Sequence, residues 1–169
     1  DGCSFHYGDL NICFGITHFK EFKADIDRSD AENQLLQEKS MELWNDRYAF
    51  FARAPGVAIL PISSDGSVFI GERISQEYGG FLNTVAGHLT YKENLEDVSL
   101  EADIHKEMKE EFGIGSDSLQ NLRFVGVYAH PTKGDLDFTF LVNVQEPNTY
   151  FTSGAWMSKV KEREHKSLI

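Results

Sequence analysis

Gly87-His-Leu-Thr-Tyr-Lys-Glu93, twelve further residues, and then Lys106-Glu107-Met108-Lys109-Glu110-Glu111-Phe112-Gly113-Ile114 form the stretch whose reading decides the fold. Its second half predicts a helix. Leu100, Ile104, Met108 and Phe112 recur every fourth residue and make an apolar stripe. A helix turns about 100° per residue, so Glu107, Glu110 and Glu111 fall within an arc of roughly 100° beside that stripe. Gly113 supplies the left-handed residue that commonly closes a helix. Buried on its apolar side, this helix presents three carboxylates at the rim of a core.

Three clustered carboxylates repel one another unless a cation neutralises them. Hard oxygen donors without cysteine favour Mg²⁺ or Mn²⁺ over zinc, and such ions bind through a few carboxylates plus substrate phosphates. The competing reading is a solvated acidic helix face, and spacing alone favours it, because charge runs are usually solvent-facing.

The wider pattern shifts the balance. Gly87, five residues, Glu93, and then Lys106-Glu107-Met108 with Glu110-Glu111 and Gly113-Ile114 resembles the box of the Nudix hydrolases. That box reads Gly, five residues, Glu, seven residues, Arg-Glu, an aliphatic, any residue, Glu-Glu, any residue, Gly, an aliphatic. This chain departs from it twice. Lys106 stands for the Arg, and twelve residues replace the seven, a lengthening placed at Asn94 to Val98. In the family the first Glu pairs with the Arg and braces the loop. Lysine lacks the planar fork for a bidentate pair, so the departures bear on the brace between Glu93 and Lys106. The three metal-site glutamates keep their spacing.

The resemblance implies an α/β/α sandwich with a mixed sheet and Mg²⁺-dependent hydrolysis of a diphosphate linked to another group. Carried over position by position, it implies Glu107 and Glu111 as metal ligands and Glu110 as a ligand or the base. It also implies the backbone carbonyl of Gly87 as a ligand. Arg73, at a strand end, takes the place of a basic residue near the substrate phosphates; a surface arginine is the equal alternative. The alternative is a base outside the box, for which Glu146, Asp135 and Glu164 are equal candidates. His130, between a strand and a Pro turn, is a candidate for the leaving group, although a loop histidine is more often simply solvated. Gly15-Ile16-Thr17-His18-Phe19-Lys20 resembles an entry seen in the UDP-glucose pyrophosphatase branch, which implies a nucleoside diphosphate sugar as substrate; a β-turn-α junction of any α/β domain is the equal alternative. The alternative is a divergent Nudix-like module that binds nucleotides or partners without turnover.

With 169 residues, the chain suffices for one domain with a sizeable core. The division expected is an N-terminal segment, 1–54, packing on a catalytic core, 55–169. That segment is expected to shape the pocket or form a homodimer contact. A net charge of −11 argues against a sequence-independent nucleic-acid binder, which needs a basic face. No apolar run approaches the roughly 18 residues of a membrane span. Cys3 and Cys13 have no metal-type spacing and read as thiols of a reducing compartment, hence a cytoplasmic protein, with a Cys3–Cys13 disulfide as the alternative. The chain starts at Asp1 without Met and stops after an unfinished helical pattern, so trimmed termini are expected.

Along the chain, Leu10 to Ile16 reads as a strand, with Thr17 capping a helical turn. Asp30 to Phe51 reads as a helix capped by Ser29 or Asp30. Its apolar face is Leu36, Leu43, Trp44, Tyr48 and Phe51, with a break near Asn45-Asp46. Val57 to Ile62 and Val68 to Glu72 read as a hairpin about Asp65-Gly66. Phe81 to Ala86, Leu122 to Tyr128 and Asp137 to Val144 read as strands, the last with Phe138, Phe140 and Val142 on one side. Trp156 to Lys166 reads as a charged helix.

Overall fold

A computed structural model describes residues 3–7, 10–74, 79–90, 99–160 and 163–169. The fold is α/β with a mixed sheet. Its chain divides into two compact units. One comprises Asp1–Gly56, Leu89–Val98 and Tyr128–Asp137; the other comprises Val57–His88, Ser99–Val127 and Phe138–Ile169.

The first unit opens with a two-stranded antiparallel ribbon, β1 (Cys3–Tyr7) and β2 (Leu10–Phe14). Its register sets Cys3 opposite Phe14 and Cys13 opposite Ser4, so the two cysteines are not cross-strand partners. Helices α1 (Phe19–Asp27) and α2 (Asp30–Trp44) follow. His18, not Thr17, is the N-cap of α1; the Thr17 hydroxyl bonds Glu21 instead, at 2.9 Å. Ser29 and Glu32 form a capping box on α2, and Asn45, left-handed at φ 53°, ends it.

Helix α2 is therefore shorter than the expected run to Phe51, and its burial is reversed. Leu43 and Trp44 are exposed, whereas Asn33 and Ser40 are buried. The two polar side chains can face inward because backbone carbonyls accept from them: Asp25 O from Asn33 at 3.5 Å and Asp46 O from Ser40 at 2.7 Å. In the same unit Asp25 is buried against Arg28 and accepts from Ala52 N at 2.7 Å. The turn after residue 129 is tied back by Tyr48, whose hydroxyl donates to Pro131 O at 2.8 Å.

The site lies in the second unit. Strand β3 (Pro55–Ile62) enters it, and the Asp65-Gly66 turn forms, with Gly66 at φ 87°. The expected hairpin does not continue. Only Ile62 and Val68 bridge, and the next strand, β4 (Gly71–Arg73), joins a different sheet. There it lies between β5 (Leu82–Asn83) and β9 (His165–Leu168), antiparallel to both. The four-stranded sheet has the order β6-β3-β8-β7, with β6 Val85–His88, β7 Leu119–Ala129 and β8 Leu136–Val144. The inward side of β8 is Phe138, Phe140, Val142 and Val144, all buried, as its alternation requires.

Helix α3 (Leu100–Phe112) is the box helix. Ser99 caps it, its hydroxyl accepting from Ala102 N at 3.2 Å. Leu100, Ile104, Met108 and Phe112 are all buried, so each contributes about 1.5–3 kcal/mol relative to exposure. Phe112 lies 5.6–6.1 Å, ring to ring, from Phe151 of the short helix α4 (Asn148–Thr152), from Trp156 and from His165. Gly113 closes α3 at φ 68°, and a Cβ there would lie 2.5 Å from Cβ of Lys159. Gly113→Ala is accordingly expected to lower stability by at least about 1–2 kcal/mol. An unchanged urea midpoint would refute the close approach.

The C-terminal reading needs correcting. Trp156 begins no helix reaching Lys166: a 3-10 turn spans Ala155–Ser158, and His165–Leu168 is strand β9. Pairing with β4 supplies backbone partners that a solvated charged helix would not need from the fold. Helix propensity is a weak prior that such tertiary pairing overrides. No helix among the described residues is long and apolar enough to cross a membrane.

Candidate functional site

The box glutamates diverge in environment although one helix carries them. Glu107 is 7% exposed, Glu111 is 1% exposed, and the Glu110 side chain is 59% exposed. Positions 107 and 111 lie one turn apart on the buried side, whereas 110 falls at its edge.

Both oxygens of Glu111 are engaged. Oε1 accepts from Ala86 N of β6 at 3.1 Å, and Oε2 lies 2.5 Å from Nε2 of His165 on β9. The His165 ring is fully buried. It occupies the space above Gly71, where a Cβ would lie 2.5 Å from the ring carbon Cγ. Nη1 of Arg73, from β4, stands 3.9 Å from the same Glu111 oxygen, and its Nη2 bonds Glu164 at 2.5 Å. One carboxylate thus joins α3, β4, β6 and β9.

Glu107 meets the other half of the motif. A Cβ at Gly87 would lie 2.8 Å from Glu107 Cγ and closer still to the carboxyl group, so any other residue here would push the Glu107 side chain aside. Lys106 Nζ is 2.8 Å from Glu107 Oε1 and 3.5 Å from Glu110 Oε2. Burial raises the Glu107 pKa above the ordinary carboxylate range; Lys106 opposes the rise, and the neighbouring Glu111 and Glu110 add to it. The Lys106 pKa is also raised, chiefly by its bond to Glu107. The two partners shift the same way because the carboxyl is desolvated and the ammonium is half exposed.

No family model matches the chain, and no curated protein matches it. Solved structures do. A NUDIX hydrolase from Nitrosomonas europaea is 21% identical, with 69% of this chain and 70% of that one covered and a TM-score of 0.48. A NUDIX-family hydrolase from Clostridium perfringens is 13% identical, with 69% and 79% covered and a TM-score of 0.46. A MutT protein from Methanosarcina mazei is 17% identical, with 69% and 74% covered and the same TM-score. At such identities and TM-scores the likeness decides neither activity nor substrate.

Other residues singled out in the sequence scatter. Glu93 lies outside the described residues, and with it the brace to Lys106. Arg73 is only 14% exposed and is paired as above. His130 belongs to the first unit, where its Nδ1 accepts from Thr132 N at 3.3 Å. Asp135, in the same unit, accepts from Ala54 N at 3.1 Å. Of the candidate bases outside the box, Glu164 is the one brought, through Arg73, to Glu111. Glu146 has a buried oxygen without a hydrogen-bond partner; it contributes, after burial, to pushing the Tyr150 hydroxyl up to about 12. His165 escaped sequence reading altogether. It sits in the charged run Glu162-Arg163-Glu164-His165-Lys166, where nothing local marks a buried ring.

Among the described residues no three His, Cys, Asp or Glu side chains converge as a metal-binding group. The donors nevertheless fit a divalent cation in kind. They are hard oxygens, one of them is a desolvated carboxylate with raised pKa, and the bare backbone at Gly87 lies against it.

Proposed function

We propose that this chain is a divalent-metal-dependent hydrolase that cleaves the diphosphate of a nucleoside diphosphate linked to another moiety. The observation that carries the reading is the meeting of the two halves of the box across the fold: Gly87 against Glu107, and Ala86 N–H on Glu111. Glu107, Glu110, Glu111 and the Gly87 carbonyl would hold Mg²⁺ or Mn²⁺. When bound, that ion screens phosphate oxygens and lowers the pKa of a coordinated water. Glu110, the exposed carboxylate, is the group able to take a proton from the attacking water. Glu111, now held on both oxygens, would join the ion only by giving up one of its contacts to Ala86 N and His165. Arg73 faces a phosphate only if Glu164 releases it; otherwise it holds Glu111.

The substrate proposed is a nucleoside diphosphate sugar, cleaved to a nucleoside monophosphate and a sugar phosphate. Gly15-Ile16-Thr17 motivates it. A screen of nucleoside diphosphate sugars, dinucleotides and nucleoside triphosphates with Mg²⁺, read by product analysis, tests both levels. The expected products are a monophosphate and a sugar phosphate. Far faster turnover of triphosphates would overturn the substrate. No turnover of any class would leave the second reading, a binding module, which Lys106 on Glu107 and His165 on Glu111 favour.

A further inference from the structure

We infer that Lys106 is a tethered competitor for the divalent cation: its ammonium holds the same two carboxylates that the cation would use, and each weakens the other's hold. The inference rests on the metal-dependent reading above and adds a device that the box itself does not contain.

The geometry is direct. Nζ of Lys106 reaches Glu107 Oε1 at 2.8 Å and Glu110 Oε2 at 3.5 Å, so one positive charge bridges two negative ones on the same helix face. Two cations a few ångströms apart on one carboxylate repel strongly in a partly desolvated site. Sharing Glu107 is therefore unfavourable for both. The displaced group is nonetheless easily moved. A lysine is a strongly hydrated point charge on a flexible four-carbon stem, and this side chain is already 47% exposed. Swinging into water leaves no buried charge behind once a metal neutralises Glu107. Apparent metal affinity is then reduced by the fraction of molecules in which the two carboxylates are free of the ammonium.

The test is a Mn²⁺ titration of the full chain, following free Mn²⁺ by electron paramagnetic resonance, with thermal melts to confirm folding. Lys106→Met is expected to tighten binding by about tenfold, since the competent fraction rises toward one. Lys109→Met removes an equal charge from an exposed position on the same helix and is expected to change affinity by about twofold or less. Glu107→Gln is expected to weaken binding severely. Equal affinity in wild type and Lys106→Met would overturn the inference, as would equal tightening by Lys109→Met. If Glu107→Gln binds Mn²⁺ like wild type, or if neither wild type nor Lys106→Met binds it, the metal-dependent reading falls and takes the inference with it.

Discussion

Glu111→Ala is expected to destabilise the protein by about 3–5 kcal/mol, because truncating a buried carboxylate leaves several partners unsatisfied at once. The carboxylate is 1% exposed and lies against a fully buried His165. Removing it takes away two hydrogen-bond partners at once, that of the Ala86 N–H and that of His165 Nε2, and leaves Arg73 without the carboxylate 3.9 Å from its Nη1. A buried donor without a partner loses its full desolvation energy, which is why truncation costs more than the bond itself is worth. At about 2–4 °C per kcal/mol for a chain of this size, the melting temperature should fall by roughly 10 °C. His165→Ala should be similarly damaging, since it leaves Glu111 half-partnered and opens a cavity over Gly71. The double variant should lose less than the two singles together, because both remove one shared contact. A melting temperature within about 3 °C of wild type for Glu111→Ala would show that the pair does not hold these strands to the helix.

Glu107→Gln should act on the opposite quantity. Turnover is expected to fall by at least about a hundredfold, because a neutral amide weakens a charge-screening ion. Stability near neutral pH should hold or rise. The sign follows from the direction of the shift. Burial raises the folded-state pKa of Glu107 above its unfolded value, so the folded state binds the proton more tightly. The resulting destabilisation is fully present above the folded pKa. It is relieved as pH falls through that value toward the ordinary carboxylate range. Wild type should therefore gain stability relative to Glu107→Gln as pH drops through that window. Melting curves across the acid range, with turnover measured alongside, check both halves. Wild-type turnover at saturating Mg²⁺ would remove Glu107 from the site. A stability difference that ignores pH would contradict its desolvation.

Local pattern sufficed for the elements whose signals lie within a few residues. The stripe Leu100, Ile104, Met108 and Phe112 is buried as its spacing requires, and Gly113 is left-handed as a helix-closing glycine should be. Phe138, Phe140 and Val142 alternate inward on β8 for the same reason. Asp65-Gly66 turns where it should. Each of these follows from a backbone period or a φ preference, and neither depends on distant chain.

What failed was decided between distant segments. Leu43 and Trp44 are apolar, yet α2 buries Asn33 and Ser40, because backbone carbonyls of Asp25 and Asp46 accept from them. Val68 to Glu72 has the composition of a returning strand, yet Gly71–Arg73 pairs with β5 and β9. The candidate site divides the same way. Spacing along one helix placed Glu107, Glu110 and Glu111 on a common arc without any knowledge of their neighbours. Burial then separated them: Glu111 under His165 and Ala86, Glu107 against Gly87 and Lys106, Glu110 toward solvent. A charged run such as Arg163 to Lys166 reads alike as a solvated helix or a paired strand. Only the partner edge of β4, and the space a glycine leaves at position 71 for an imidazole, distinguish them, since hydrogen-bond pairing and side-chain volume are properties of two segments at once.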